Sequence, residues 1–259
     1  MPYAYLFFMG GNEHYDRDNP LFRNLVKLAG DYDSRIVIVP TASSQPDSTA
    51  GFFRRFFRKF DPASVDIAWI SSSRDLDSRK NQQLLKDATC IFFTGGDQEK
   101  IIRIIRKTRI HDILIDRLDD DVVIAGTSAG AMALTDICIL DSENYGLKKT
   151  DVRWDYGLGL VGGVIVDTHF IERNRLWRLS HVVSIFPDCV GIGISEDTGL
   201  IYDSKRREFE VIGDGLVTVL EPPSYIRYIK DKIEGREFKM SILADGAIFK
   251  VGKSSRAFF

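Results

Sequence analysis

The stretch Val122-Val-Ile-Ala-Gly-Thr-Ser-Ala-Gly-Ala131 narrows the fold more than any other part of this chain. Its first four residues are apolar and read as a buried strand. Gly126-Thr127-Ser128-Ala129-Gly130 follows with no spacer, the G-x-S-x-G pattern of a strand that turns sharply into a helix. The glycines relieve the crowding of such a turn, and Gly130 lets the next helix pack close beneath it. A helix starting near Ala129 aims free N–H groups and its positive dipole end at the place where an oxyanion would form. The same letters suit a serine that merely fills a turn or caps a helix, so the pattern needs its context.

That context is an α/β chain. Apolar runs of strand length fall at Tyr3–Met9, Arg35–Val39, Val65–Ile70, Thr89–Phe93 and Val122–Ala125. Helical spacing separates them at Leu21–Leu28, Ala50–Phe60, Lys80–Lys86 and Lys100–Leu118. Continuously apolar strands alternating with helices predict a parallel sheet covered on both faces. The second half predicts a strand at Val164–Asp167 and a helix at Arg173–Ser184. Short strands follow near Val190–Ile194, Gly199–Tyr202, Glu208–Ile212, Val217–Leu220, Met240–Leu243 and Ala247–Val251. These read as antiparallel and as an extension of one edge of the same sheet. With no Pro-, Gly- or Ser-rich linker and no repeat, residues 1–259 read as one domain.

A net charge of −2 argues against a general nucleic-acid binder. Phe52-Phe-Arg-Arg-Phe-Phe-Arg-Lys59 is basic and aromatic, but its spacing gives a helix with one apolar and one charged face. No apolar run reaches 18 residues, so no membrane span is expected, and the N-terminus lacks the form of a signal peptide. Three scattered cysteines, Cys90, Cys138 and Cys189, read as reduced core residues and point to the cytoplasm. No C-x-x-C or H-E-x-x-H pattern occurs, and no metal or other cofactor is expected.

Ligands of open parallel sheets bind beyond the carboxyl ends of the strands. Six loops fall at such ends: Gly10-Gly-Asn-Glu13, Pro40-Thr-Ala-Ser-Ser44, Thr94-Gly-Gly-Asp-Gln98, the Ser128 turn, Asp167-Thr-His-Phe170 and Ser195-Glu-Asp-Thr198. A serine alcohol needs a base to become a nucleophile. Of four histidines, His14 follows the first loop, His111 begins a surface helix, and His181 lies on a helix with a charged face. His169 sits at a strand end and is the best candidate. A carboxylate should orient the imidazole. Asp141 and Glu143 in one polar loop compete with Glu196 and Asp197 in another. Glu196 is preferred, because a strand end holds a side chain better than a polar loop. Oxyanion donors are expected from the backbone of Ala129 and of Gly96. Arg173, Arg175 and Arg178 follow His169, with Arg175 and Arg178 on one helix face, and suit a substrate carboxylate. Gln98 offers an amide contact.

Together these pieces resemble the cyanophycinase and dipeptidase E family of serine peptidases. The resemblance runs in order through Gly-Gly-Asn-Glu, Val-Pro-Thr-Ala-Ser-Ser, Phe-Thr-Gly-Gly-Asp-Gln, Gly-Thr-Ser-Ala-Gly-Ala, Asp-Thr-His-Phe with its three arginines, and Gly191-Ile-Gly-Ile-Ser-Glu-Asp-Thr198. It implies a three-layer α/β/α fold of the class I glutamine amidotransferase type, with a mainly parallel sheet extended by antiparallel C-terminal strands. It implies Ser128 as nucleophile and His169 as base, and favours Glu196 as the third member. It implies that Gln98, Asp167, Thr168, Arg173, Arg175 and Arg178 shape the pocket. Cyanophycinases split β-aspartyl-arginine links in a storage polymer, and shorter relatives remove N-terminal aspartate from dipeptides. A peptide substrate is therefore expected, and the resemblance alone suggests a homodimer. Thr168 departs from the family, where Gln usually stands between the Asp and the His. Two rival readings use the same scaffold: a non-catalytic small-molecule binder, and an esterase or amidase for non-peptides.

Overall fold

Neighbouring residues of the apolar strands bury against opposite sides of one sheet. Strands β1 (Ala4–Met9), β2 (Arg35–Val39), β3 (Ser64–Ile67), β4 (Cys90–Phe93) and β5 (Val122–Thr127) pair in parallel in the order β1-β5-β4-β2-β3. Phe7, Ile36, Ile38, Phe92 and Val123 bury into one core. Leu6, Phe8, Val37, Ile91 and Ile124 bury into another. Period-two alternation in a strand that is apolar throughout needs cover on both faces. These observations come from a computed structural model, which describes residues 4–142, 148, 150–252 and 257–258. Tyr3, expected in the first strand, and Glu143 lie outside the described residues.

Helices α1 (Pro20–Leu28) and α2 (Pro46–Phe57) cover the first face. The basic-aromatic segment forms α2 and a following 3-10 turn, Arg58–Phe60. It buries Phe53, Phe56 and Phe57 and leaves Arg55 and Arg58 outside. The Phe22 and Phe56 ring centroids stand 4.6 Å apart, and those of Phe57 and Phe92 5.1 Å apart. Each such ring contributes about 2–3 kcal/mol by leaving water. The opposite face carries α3 (Arg79–Asp87), α4 (Gln98–Ile105), α5 (Arg109–Arg117) and the short α6 (Ala129–Met132). The single helix expected over Lys100–Leu118 is two helices. Lys107 takes a φ of 60°, and the Thr108 hydroxyl caps α5 by accepting from the His111 amide. His111 therefore lies in the first turn of α5.

The C-terminal strands divide between two sheets. β6 (Ile137–Ser142) and β7 (Val152–Tyr156) form a separate antiparallel hairpin with a bulge between Ile139 and Asp141. β8 (Val164–Asp167) is followed by α7 (Leu176–Ile185) and β9 (Val190–Ile194). Next come β10 (Thr198–Asp203), β11 (Glu208–Gly213), β12 (Val217–Leu220), and a hairpin of β13 (Tyr225–Ile229) and β14 (Lys232–Arg236). β15 (Met240–Leu243), β16 (Ile248–Val251) and β17 (Ala257–Phe258) close the chain. β10, β11, β16 and β17 do extend the central sheet in antiparallel fashion, beside β1. β8, β9, β12 and β15 instead build a second, four-stranded sheet, in which β8 and β9 are parallel. This corrects the expectation that the whole tail extends one sheet. Pairing partners are chosen by tertiary packing, which apolar periodicity does not encode.

The helix expected over Arg173–Ser184 begins only at Leu176, because Asn174 has a φ of 49° and Arg173 and Arg175 lie in the turn before it. His181 is 7% exposed on α7, so that helix lacks the charged face expected there. All three cysteines are free and buried. No helix among the described residues is long and apolar enough to cross a membrane.

Candidate active site

Ser128 stands where β5 turns into α6, with a φ of 51° and a ψ of −116°. A non-glycine residue there is strained by about 1–3 kcal/mol, which the surrounding turn must hold in place. Both glycines are required by close approach. A Cβ on Gly126 would lie 2.3 Å from the Gly130 carbonyl carbon, and one on Gly130 would lie 2.4 Å from the Phe93 oxygen. The turn is thus compressed enough to lift the serine side chain out of the sheet.

His169 and Glu196 come from the other sheet. His169 lies two residues past β8 and Glu196 two residues past β9. The Ser128 hydroxyl is 2.9 Å from His169 Nε2, and His169 Nδ1 is 2.7 Å from Glu196 Oε1. The site therefore straddles a junction: the alcohol belongs to the central sheet, the imidazole and the carboxylate to the smaller one. The His169 side chain is 8% exposed and that of Glu196 26%. The hydrogen bond from His169 holds the Glu196 carboxyl below its usual range, and a second bond from Asn12 adds to the effect. The Asn12 amide donates to Glu196 Oε2 at 2.7 Å.

Asp197, Asp141 and Asp167 face elsewhere. Asp197 accepts from the backbone and ring of His14 and from Asn19. Burial pushes the Asp197 carboxyl up, but these donors outweigh it and hold it below its usual range. Asp141 is exposed at the end of β6. Asp167 is fully buried and meets two guanidiniums. Arg175 Nη1 donates to its Oδ1 at 3.1 Å, Arg178 Nε donates to its Oδ2 at 2.6 Å, and Arg178 Nη2 also reaches Oδ1. Burial pulls the Arg175 guanidinium down to about 10, with Asp167 working against that shift. Arg175 and Arg178 are thus committed to Asp167, whereas Arg173 is exposed.

The other residues expected near the substrate divide in the same way. The Thr168 hydroxyl is buried and points at the Met132 sulfur, 3.4 Å away. Gln98 donates its amide to the Ile139 and Leu140 carbonyls at 2.8 and 2.6 Å, which satisfies the bulge of β6 and leaves the Gln98 carbonyl oxygen as an acceptor. Gly95 abuts Ser128, a Cβ on it falling 3.5 Å from that of the serine. Gly96 packs its α-carbon on the Ala42 carbonyl. The Ala129 amide follows Ser128 directly at the start of α6.

Two residues of the first loop are missed by sequence reasoning. Asn12 and Glu13 stand out only as part of a turn at a strand end, and their roles depend on partners more than 100 residues away. The signal that could have found them is a polar Asn-Glu pair set just past two glycines that end an apolar strand.

The curated relatives are named cyanophycinases, and the similar solved structures are named as peptidases. A cyanophycinase of Synechococcus elongatus is 30% identical over 251 residues, covering 94% of this chain and 78% of the relative. A cyanophycinase of Trichormus variabilis is 32% identical over 216 residues, 83% of this chain and 72% of its own length. Among solved structures, a peptidase from an acI-B1 Actinobacterium superposes with a TM-score of 0.67 at 22% identity, covering 92% of this chain and 97% of the other. A putative peptidase E protein of Listeria monocytogenes gives a TM-score of 0.52 at 19% identity, covering 82% and 98%. The sequence profile of peptidase family S51 matches residues 6–209, the span that holds both sheets' contributions to the Ser128, His169 and Glu196 cluster, and the chain accordingly belongs to that family and is a peptidase.

Proposed function

We propose that the chain is a serine peptidase of cyanophycinase type that cleaves aspartyl or β-aspartyl peptide bonds through Ser128, His169 and Glu196. The observation that carries this reading is the unbroken line of hydrogen bonds from the Ser128 hydroxyl through both ring nitrogens of His169 to Glu196. Ser128 attacks the scissile carbonyl as His169 Nε2 takes its proton, and the imidazolium then gives that proton to the leaving amine. Glu196 holds the ring in the productive tautomer and favours its cation, a task suited to a carboxyl kept ionised. The Ala129 amide and the Gly96 amide, beside Gly95 at the serine, receive the oxyanion. Losing one such donor typically costs about 100- to 1,000-fold in rate. Arg173 is the exposed guanidinium next to this line and takes a substrate carboxylate. The Gln98 carbonyl accepts from a substrate donor. Asp167, Arg175, Arg178 and Thr168 shape the wall behind them.

The test is a panel of cyanophycin, β-aspartyl-arginine and α-aspartyl dipeptides, with fluorophosphonate labelling run alongside. Labelling at Ser128 and turnover of an aspartyl substrate are expected. Ser128→Ala should lower turnover by roughly a million-fold while the protein stays folded. Binding of these compounds with neither labelling nor turnover makes the chain a binder, and turnover of simple esters alone makes it an esterase.

A further inference from the structure

The loop after β1 meets the proposed catalytic residues one after another. The Met9 carbonyl accepts from the Ser128 amide at 3.0 Å, and the Gly10 carbonyl from the His169 amide at 2.9 Å. Gly11 lies flat against the imidazole, where a Cβ would come within 2.4 Å of Cε1 and Nε2. The Gly11 carbonyl accepts from the Asp197 amide at 3.1 Å, and Asn12 reaches Glu196. Glu13 then folds back. It is 3% exposed, and its Oε1 accepts from the Gly11 amide at 2.9 Å and from the Thr127 hydroxyl at 2.6 Å. Its Oε2 accepts from the Tyr15 hydroxyl at 3.1 Å.

One carboxyl oxygen thus joins the backbone that supports the base to the residue just before the nucleophile. A carboxyl so buried is costly unless its lone pairs are used. Here a single atom serves two donors that belong to different halves of the site. The Tyr15 ring is set among Phe22, Phe52, Phe53 and Phe56, with centroids 4.9–5.6 Å away, so the far oxygen is tied to the aromatic core instead.

Building on the Ser128–His169–Glu196 reading, we propose that Glu13 is a positioning residue that holds the imidazole and the serine turn in register across the junction of the two sheets. It touches no reacting atom. Its effect should appear in kcat and in the rate of Ser128 acylation, with KM nearly untouched, since a misplacement of about 1 Å can cost roughly 100-fold.

Two variants each delete one hydroxyl donor to the same carboxyl, and they separate positioning from bulk support. Thr127→Val should lower kcat and fluorophosphonate labelling about tenfold. Tyr15→Phe should leave both within about twofold of wild type, with a comparable loss in thermal midpoint. Glu13→Ala should lower kcat by about 100-fold with KM within about twofold. Glu13→Gln should restore most of the rate, because its amide oxygen still accepts from Gly11 and Thr127. Equal effects of Thr127→Val and Tyr15→Phe on kcat would overturn the proposal, even where Glu13→Ala does not fold. So would a folded Glu13→Ala that turns over normally. A wild-type protein inert to both label and substrate is a different failure: it removes the Ser128–His169–Glu196 reading on which Glu13's role rests.

Discussion

Asp167 and Glu196 are the same kind of group in nearly the same place. Each lies at the carboxyl end of a strand of the smaller sheet, β8 for one and β9 for the other, and the two strands are neighbours. Asp167 is wholly buried, with Arg175 and Arg178 on its oxygens and the Thr168 amide as well. Glu196 keeps a side chain 26% exposed and holds one imidazole and one amide. The first network is closed, since each partner is a fixed charge or a backbone group and none has a proton to exchange near neutral pH. The second ends at a serine hydroxyl and includes an imidazole, which can carry a proton in either direction. On the proposed reading, a carboxylate at a strand end serves architecture or chemistry according to what its partners can do, not by its position.

The sharpest way to break this comparison is to neutralise each acid in turn. Glu196→Gln should lower kcat by roughly 10,000-fold, the scale for losing the orienting carboxylate of a triad. The thermal midpoint should move little, as for most partly exposed substitutions. Stopped kinetics and a melting curve on one preparation check both halves.

Asp167→Ala should do the reverse. It strands two guanidiniums, one of them 5% exposed, and breaking a buried pair costs about 3–5 kcal/mol. For a chain of this size that lowers the midpoint by about 10 °C. At a temperature where the variant is folded, kcat should stay within about tenfold of wild type. A stable Asp167→Ala with no activity would show that the closed network belongs to the chemistry after all.

What could be read from sequence follows the same division. The Ser128 turn announces itself because strand, glycines and serine are contiguous, and contiguous geometry is what local patterns encode. His169 and Glu196 are legible as polar residues at the ends of apolar runs. The helix break at Lys107 is not, since the apolar repeat continues through it and only the backbone turn and the Thr108 cap reveal two helices. The β6–β7 hairpin is hidden by its bulge, which shifts the alternation between Ile139 and Asp141. The second sheet is hidden because a strand's periodicity says which face is buried and not which neighbour it pairs with. Glu13 is hidden for the same reason: the register that sets Met9 beside Thr127 brings the loop to the serine turn.

The comparison can be sharpened at its weakest bond. Asn12 is the second donor to Glu196, and Asn12→Ala removes it while leaving the imidazole in place. The direction of the pH effect follows from the sign of the shift. Glu196 in the folded protein titrates below its ordinary 4.5, chiefly through the His169 hydrogen bond and then through Asn12. The stability it contributes is therefore present above pH 4.5 and is lost as pH falls through the lower folded value. Without Asn12 the folded value moves up toward 4.5, so the contribution shrinks and its loss is complete at a higher pH. The difference in thermal midpoint between Asn12→Ala and wild type should accordingly be largest above pH 4.5 and close as both carboxyls become protonated. At neutral pH the rate should fall by about tenfold, much less than for Glu196→Gln, because the carboxylate keeps its charge and loses only one of its two restraints. A midpoint difference that widens on acidification would mean that Asn12 acts on something other than the ionised carboxylate, and the contrast between the open and the closed network would have to be drawn without it.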